Sequence, residues 1–202
     1  MMGVLRRLAT RRTLAERYLE RGLYHLDKGK YEDAIADVTE AIAHEPANAE
    51  LYATRGFIYL EMDDAGYLDY ARQDFEYALY LDSEQWVAAY GLGMMAYAEE
   101  DYSEALRRFD AARDSAPLRP EIYYYRALCH YQLGETQRAI SEMDVATQLF
   151  EPEDRRHLDA ARWIKEFKKK PRRPRLLGRT VSKASSRSLP GGGQPSVTAT
   201  GE

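Results

Sequence analysis

The side chains that could hold a metal or perform nucleophilic catalysis are few and poorly spaced for either task. Two histidines four residues apart on a helix could bind zinc from one face, but no two histidines here have that spacing. The only cysteine, Cys129, directly precedes His130, and adjacent helical residues point in different directions. The four histidines are His25, His44, His130 and His157. We therefore expect no metal site, no cofactor and no enzymatic activity.

The carboxylates offer no candidate acid/base pair either. The 33 Asp and Glu residues are spread along the chain, which is typical of solvated helix faces. Charge is nevertheless unevenly divided. Residues 1–13 carry four Arg and no acid, and residues 165–202 carry ten Lys or Arg against two Glu. Residues 14–164 then hold 15 basic and 31 acidic residues, so an acidic body has two basic ends.

Composition restricts the class of protein. A length of 202 residues with 45% hydrophobic and 31% charged residues is typical of a soluble globular domain with some additional chain. The longest apolar run, 86–98, is shorter than the roughly 18 to 20 residues that span a bilayer. Paired arginines at 6–7 and 11–12 argue against a secretory signal, and a lone cysteine fits a reducing compartment. We expect a cytoplasmic protein without a transmembrane segment; an Arg-rich transit peptide in residues 1–12 is the alternative.

Small residues recur at fixed intervals and divide the chain into four similar units. One series is spaced 34, 37 and 34 residues apart, and two further series keep the same intervals. The three series are Gly22, Gly56, Gly93 and Ala127; Ala34, Ala71, Ala105 and Ala139; and Ala41, Ala78, Ala112 and Ala146. Three series in step predict one repeated unit, with a three-residue insertion near residues 63–66 of the second repeat.

Each unit is predicted to be two amphipathic helices joined by a short turn, because apolar residues recur three and four apart. Small side chains at the helix crossing allow an approach to roughly 8 Å. Thr13 has the spacing of a capping box and should start the first helix at the next residue. Gly29 and Gly134 suit the left-handed ends of helices. Pro46 and Pro117 should stop the second helices of their repeats.

These features resemble the tetratricopeptide repeat family, which has an early aromatic residue, small residues at three offsets, a second aromatic residue and a closing proline. The large residues that fit are Tyr18, Tyr52 and Tyr123 on first helices and Phe75, Phe109 and Met143 on second helices. The resemblance covers about residues 13–152 and implies an all-α, tetratricopeptide-type α-solenoid of antiparallel helix pairs. Two departures are Ser83 in place of the second repeat's proline and Ala89 in place of the third repeat's early aromatic residue.

The resemblance and the charge distribution together predict three segments. A basic N-terminal segment occupies 1–13, the repeat array 14–168, and a basic tail, predicted to be disordered, 169–202. Within the array the repeats span about 15–48, 49–85, 86–119 and 120–152, and a capping helix follows at 153–168. An apolar stripe would let the capping helix cover the end of the fourth repeat. The stripe consists of Ala160, Trp163, Ile164 and Phe167.

In this family the first helix of each repeat lines a concave groove, and the matching positions here are largely apolar. They are Leu19, Leu23, Ala53, Phe57, Tyr90, Met94, Tyr97, Tyr124, Leu128 and Tyr131. A row of Tyr, Met and Leu side chains suits capture of an extended peptide or an amphipathic helix. We therefore expect a non-catalytic protein-protein interaction scaffold or adaptor whose partner has basic flanks. For any one of these side chains, the alternative is burial between neighbouring helices.

The family's best-known specific site, a basic clamp for the C-terminal carboxylate of chaperones, is not encoded here. Its five polar positions fall on Leu19, Leu23, Thr54, Val87 and Gly91 in one register, and on Ala53, Phe57, Gly91, Glu121 and Tyr125 in the next. Neither set has the Lys, Asn and Arg side chains that the clamp requires. An adaptor for chaperone tails is therefore not expected.

The basic tail suggests a different class of function. Its first charges are Lys168, Lys169, Lys170, Arg172, Arg173 and Arg175. Such a cluster could make a weak polyanion contact and tether the array to RNA, a ribosome or an anionic membrane surface. A solvated tail with no ligand is the simpler interpretation of a charge run.

Overall fold

The computed structural model describes residues 12–62 and 64–169. These two ranges contain nine α-helices and one 3₁₀ turn. The helices are α1 (Leu14–Asp27), α2 (Tyr31–His44), α3 (Ala49–Glu61), α4 (Leu68–Leu81), α5 (Trp86–Ala98), α6 (Tyr102–Ser115), α7 (Pro120–Gln132), α8 (Thr136–Leu149) and α9 (Arg155–Lys168). The 3₁₀ turn, Ala65–Tyr67, lies between α3 and α4. No strand occurs in these two ranges, and the predicted all-α fold is confirmed.

The helices pack as four consecutive pairs, α1 with α2, α3 with α4, α5 with α6 and α7 with α8. Short turns join the two members of each pair, which makes them antiparallel. Each second helix also contacts the first helix of the next repeat, and α9 packs on α8 to close the stack. The first helices of the last three repeats touch in succession, α3 with α5 and α5 with α7, as expected for helices on the inner side of a solenoid. The predicted solenoid with a C-terminal capping helix is confirmed.

Local signals in the sequence set the helix ends. The Thr13 side chain accepts a hydrogen bond from the Glu16 backbone N–H, and the Glu16 carboxylate accepts one from the Thr13 N–H, which confirms the capping box. Gly29 and Gly134 have φ of 68° and 82°, which confirms their left-handed conformation. The third repeat makes the same turn with Glu100 at φ 64°. This conformation costs a non-glycine residue about 1–2 kcal/mol. Glutamate is not a residue type that marks a left-handed turn, so this turn could not be predicted from the residue at position 100.

The repeated small residues lie where the two helices of a repeat cross most closely. A Cβ added to Gly93 would stand 2.6 Å from Cε1 of Phe109, and one added to Gly22 would stand 2.9 Å from Cγ2 of Val38. The alanines of the other two series are completely buried, as Ala105 is on α6. Larger side chains would push the helices apart, which is why the sequence keeps these positions small.

An Arg-carboxylate pair crosses between the two helices in three of the four repeats, and the sequence patterns did not reveal it. Arg55 donates from Nε and Nη2 to the two carboxylate oxygens of Asp74, both at 2.8 Å. The equivalent pairs are Arg21 with Asp37 and Arg126 with Glu142. The third repeat has Leu92 at the arginine position. Because Asp74 is only 7% exposed, its pairing with Arg55 ties α3 to α4 within the core.

A second recurring hydrogen bond joins neighbouring repeats. The Tyr52 hydroxyl donates to the backbone carbonyl of Pro46 at 3.0 Å. The equivalent bond runs from Tyr123 to Pro117, at 2.8 Å. At the junction of the second and third repeats the matching positions hold Ser83 and Ala89, so this junction has neither the proline nor the donor hydroxyl. The two departures from the family pattern, Ser83 and Ala89, therefore concern the same hydrogen bond, which this junction does not form.

Replacing Tyr52 or Tyr123 with phenylalanine should lower the free energy of unfolding by about 0.5–1 kcal/mol, because each change removes one hydrogen bond and keeps the ring. Tyr18 is the matched control, since it has the same repeat position but no repeat of the described array precedes it. Urea denaturation of the three single variants measures the differences. An equal loss in Tyr18→Phe would show that the hydroxyl does not act through the proline carbonyl.

Candidate partner-binding groove

The first helices α1, α3, α5 and α7 line the inner side of the array, and the predicted groove residues lie on them. These residues differ widely in exposure. Leu23 is 46% exposed, whereas Leu128 and Tyr131 are buried, at 6% and 8%. The half-buried residues are Leu19, Phe57, Tyr90, Met94, Tyr97 and Tyr124, and Ala53 is buried. The row therefore forms a wall that is accessible at one end and closed at the other.

Tyr125, which the sequence did not place in the groove, connects the predicted tyrosines. Its ring centroid lies 6.0 Å from that of Tyr90, 5.7 Å from that of Tyr97 and 5.5 Å from that of Tyr124. All three contacts are edge-to-face, and such pairs contribute about 0.5–1.5 kcal/mol each. The run of three tyrosines at 123–125 was the available signal. The tyrosines of the third and fourth repeats thus form one continuous aromatic wall.

The capping helix α9 covers the last part of the row. Tyr131 packs against Phe167 with ring centroids 4.4 Å apart, and Leu128 belongs to the same buried cluster. The Trp163 indole Nε1 donates a hydrogen bond to the Tyr124 hydroxyl at 2.9 Å. Leu128 and Tyr131 therefore stabilise the contact with α9, and the accessible part of the groove lies N-terminal to them in the stack.

Charged side chains of both signs act on the aromatic wall at Tyr90. Burial raises the pKa of the Tyr90 phenol well above its ordinary value, and Glu121 and, more weakly, Glu61 raise it further. Arg156 acts on the same phenol in the opposite sense, but its guanidinium is paired with Asp154 at 2.7 Å. Two carboxylates and one arginine thus act on the Tyr90 phenol.

Burial decides the protonation of two titratable groups on α7. It raises the pKa of Tyr125 to about 12 and the pKa of the Cys129 thiol to about 12. Both groups stay protonated at neutral pH, so the phenol offers an uncharged hydroxyl and the thiol is not a nucleophilic thiolate. Across residues 12–62 and 64–169, His, Cys, Asp and Glu side chains nowhere gather in a group of three that could hold a metal ion.

Only Lys168 and Lys169 of the predicted tail charges fall within the described residues. Both are exposed, and the Lys169 Nζ pairs with Glu166 at 2.6 Å. The other tail residues, Lys170, Arg172, Arg173 and Arg175, lie outside the described residues. The rest of the tail, for which disorder was predicted, and residues 1–11 also lie outside them. Within the described ranges, no helix combines the length and apolar character needed to cross a membrane.

Comparison with known protein sequences identifies relatives of the repeat array. The family model described as tetratricopeptide repeat matches residues 19–61 and 90–154. Mouse tetratricopeptide repeat protein 16 is 28% identical over an alignment of 152 residues, which covers 68% of this chain and 18% of that protein. Human tetratricopeptide repeat protein 6 is 25% identical over 120 residues, 59% of this chain and 23% of that protein. The chain thus spans about a fifth of the length of these curated relatives.

Solved structures share the fold. PilF of Pseudomonas aeruginosa superimposes with a TM-score of 0.65 and 22% identity, covering 76% of this chain and 67% of that one. A thermophilic TPR protein of Thermus thermophilus gives 0.63 and 17%, covering 76% and 80%. MamA from Desulfovibrio magneticus gives 0.57 and 21%, covering 79% and 96%. With four stacked helix pairs, small residues at the crossings and a family match over more than half of its length, this chain belongs to the tetratricopeptide repeat family.

Proposed function

We propose that this chain is a non-catalytic scaffold that holds an extended peptide or amphipathic helix of a partner protein in the groove of α1, α3, α5 and α7. Tetratricopeptide repeats form protein-protein interaction scaffolds, and that coarse function follows from the family. The finer proposal rests on one observation, the half-buried Tyr90 ring, whose phenol is affected electrostatically by the carboxylates of Glu121 and Glu61.

A partner would use two kinds of contact in this groove. Apolar anchors would pack on the exposed Leu23 and on the accessible edges of the tyrosines, because rigid aromatic rings give large contact areas at low entropic cost. A Lys or Arg flank would lie beside Glu61 and Glu121, where the carboxylates attract it. A cation over a tyrosine ring adds about 0.5–2 kcal/mol. The partner's signature is therefore apolar anchors followed or preceded by basic residues.

Charge removal tests this groove more cleanly than loss of its rings, because Tyr90, Tyr97 and Tyr124 also pack between helices. The probe is a peptide selected from a random display library on the full chain. We expect the double variant Glu61→Gln and Glu121→Gln to weaken binding of that peptide by about tenfold, chiefly through slower association, and to reduce the salt dependence. Fluorescence anisotropy measures the affinity at each salt concentration, and stopped-flow kinetics measures the association rate.

The matched control is Glu32→Gln with Glu40→Gln, which removes two exposed carboxylates from α2, a second helix outside the groove. This control should bind the peptide as the unmodified chain does. Selected peptides without basic residues, or equal binding by the two double variants, would refute the acidic groove as the binding site.

A further inference from the structure

The second helix of the second repeat exposes tyrosines that the other repeats do not have. Tyr70, Tyr77 and Tyr80 of α4 are 55%, 43% and 81% exposed. The matching residues are Asp33, Glu40 and Ala43 in the first repeat, Glu104, Ala111 and Asp114 in the third, and Arg138, Val145 and Gln148 in the fourth. Three positions that the same fold fills elsewhere with polar residues, alanine or, once, valine are all tyrosine here, so folding does not explain them.

Further tyrosines extend this exposed set at both ends, in two groups of ring contacts. Tyr52 meets Tyr77 with ring centroids 4.6 Å apart, and Tyr77 stacks on Tyr80 at 6.0 Å. At the other end, Tyr59 lies 5.6 Å from both Tyr67 and Tyr70. Tyr67 comes from the lengthened turn before α4, so the insertion of the second repeat supplies part of the surface. We call Tyr52, Tyr59, Tyr67, Tyr70, Tyr77 and Tyr80 the tyrosine face.

The charges beside the tyrosine face are uncompensated carboxylates. Asp69 and Glu76 are exposed on α4 and form no ion pair with any residue in the described ranges. The cation between the tyrosines, Arg55, is engaged by Asp74 through both carboxylate oxygens and is neutralised there. An aromatic surface with free carboxylates binds cationic segments through ring contacts and charge together.

Extended proline segments with flanking arginines are the ligands that best match such a surface. Tyrosine-lined surfaces recognise the P-x-x-P pattern because its left-handed extended helix is preformed and loses little entropy on binding. This chain has that pattern in its own tail, at Pro171 and Pro174, with Arg172, Arg173 and Arg175 beside them. The acidic body and the basic tail are thus complementary in charge as well as in side-chain type.

Chain length decides which molecule supplies the segment. Pro171 is two residues beyond Lys169, the last described residue, and two residues span at most about 7 Å. The third and fourth repeats separate α9 from α4, and packed helices lie 8–10 Å apart, so the gap is roughly 20 Å or more. We propose that the tyrosine face binds the Pro171–Pro174 segment of a second copy of this chain. Reciprocal exchange of tails would give a closed dimer.

The test is sedimentation of the full chain over a concentration series up to about 0.1 mM. We expect reversible dimers that weaken as salt rises. The face variant Tyr77→Ala with Tyr80→Gln uses residues that other repeats hold at these positions, so it should fold, as circular dichroism will check. The tail variant is Pro171→Ala with Pro174→Ala. We expect the face variant and the tail variant each to dimerise at least about tenfold more weakly than the unmodified chain.

Mixing the two variants provides the decisive measurement. The tail variant keeps its tyrosine face and the face variant keeps its tail, so together they should associate more tightly than either does alone. Tyr24→Ser is the matched control, because Tyr24 is 60% exposed but lies on α1, outside the face, and this variant should dimerise normally. A chain that stays monomeric, a face variant that dimerises like the unmodified chain, or variants that do not complement each other would each overturn the proposal.

Discussion

Replacing Arg55 with leucine should lower the free energy of unfolding by about 3–5 kcal/mol, because the Asp74 carboxylate is then buried without its partner. Asp74 is 7% exposed, and both of its oxygens accept hydrogen bonds from Arg55 at 2.8 Å. Leucine itself fits the first helix at this position, since the third repeat has Leu92 there. Urea denaturation measures the loss, which is a large share of the roughly 5–15 kcal/mol that stabilises a whole domain.

Two further variants separate the buried pair from a general effect of charge. Arg72 pairs with Glu99 at 2.7 Å, but the two side chains are 39% and 59% exposed, so Arg72→Leu should cost less than about 1 kcal/mol. Combining Arg55→Leu with Asp74→Leu removes both buried charges and should recover most of the stability. If Arg55→Leu costs no more than Arg72→Leu, the pair does not stabilise the second repeat.

The fold could be predicted because the close helix crossings tolerate so few residue types. Phe109 lies 2.6 Å from the place where a Cβ of Gly93 would stand, so this position requires a small residue. The same constraint acts once per repeat, and its spacing is therefore visible in the sequence. The helix ends were equally local, since the reciprocal hydrogen bonds that cap α1 join Thr13 to Glu16, three residues away.

The Arg-carboxylate pairs gave no comparable signal. Arg21 and Asp37 are 16 residues apart, but the insertion separates Arg55 from Asp74 by 19. Charged residues on an amphipathic helix are ordinarily solvated, so each of these residues was consistent with a surface position. Only the packing of α3 against α4 shows that Asp74 is inside.

The groove could be placed on the first helices, but the depth of each side chain could not be predicted. Leu23 and Leu128 have the same position in the first and fourth repeats, yet they are 46% and 6% exposed. The difference arises because α9 covers the end of the array beside Leu128, together with Phe167. The repeat pattern identifies the side chains that a helix turns toward the neighbouring helices of the stack. The exposed fraction of such a side chain depends on whether another helix packs against it.

Gly91→Ala should lower the free energy of unfolding by about 2 kcal/mol, although alanine normally stabilises a helix interior relative to glycine by about 1 kcal/mol. A Cβ at Gly91 would overlap Cζ of Phe75 and stand 2.7 Å from its Cε1, and this ring is completely buried. The ring has no room to retreat, because on its other side a Cβ at Gly56 would stand 2.9 Å from its Cδ1. Phe75 of α4 is thus held between the backbones of α3 and α5, and thermal or urea unfolding measures the cost.

A double-mutant cycle with Phe75→Leu identifies the clash as the cause. Phe75→Leu alone should cost about 1–2 kcal/mol through lost packing, but it removes the ring that the new methyl group meets. Gly91→Ala should therefore cost less in the Phe75→Leu background, with a coupling of about 1 kcal/mol or more. Gly66→Ala is the control, because its nearest atom is Asp64 Oδ1 at 3.4 Å, and it should stay within about 0.5 kcal/mol. Strict additivity of the two changes would mean that the second and third repeats are joined by some contact other than this ring.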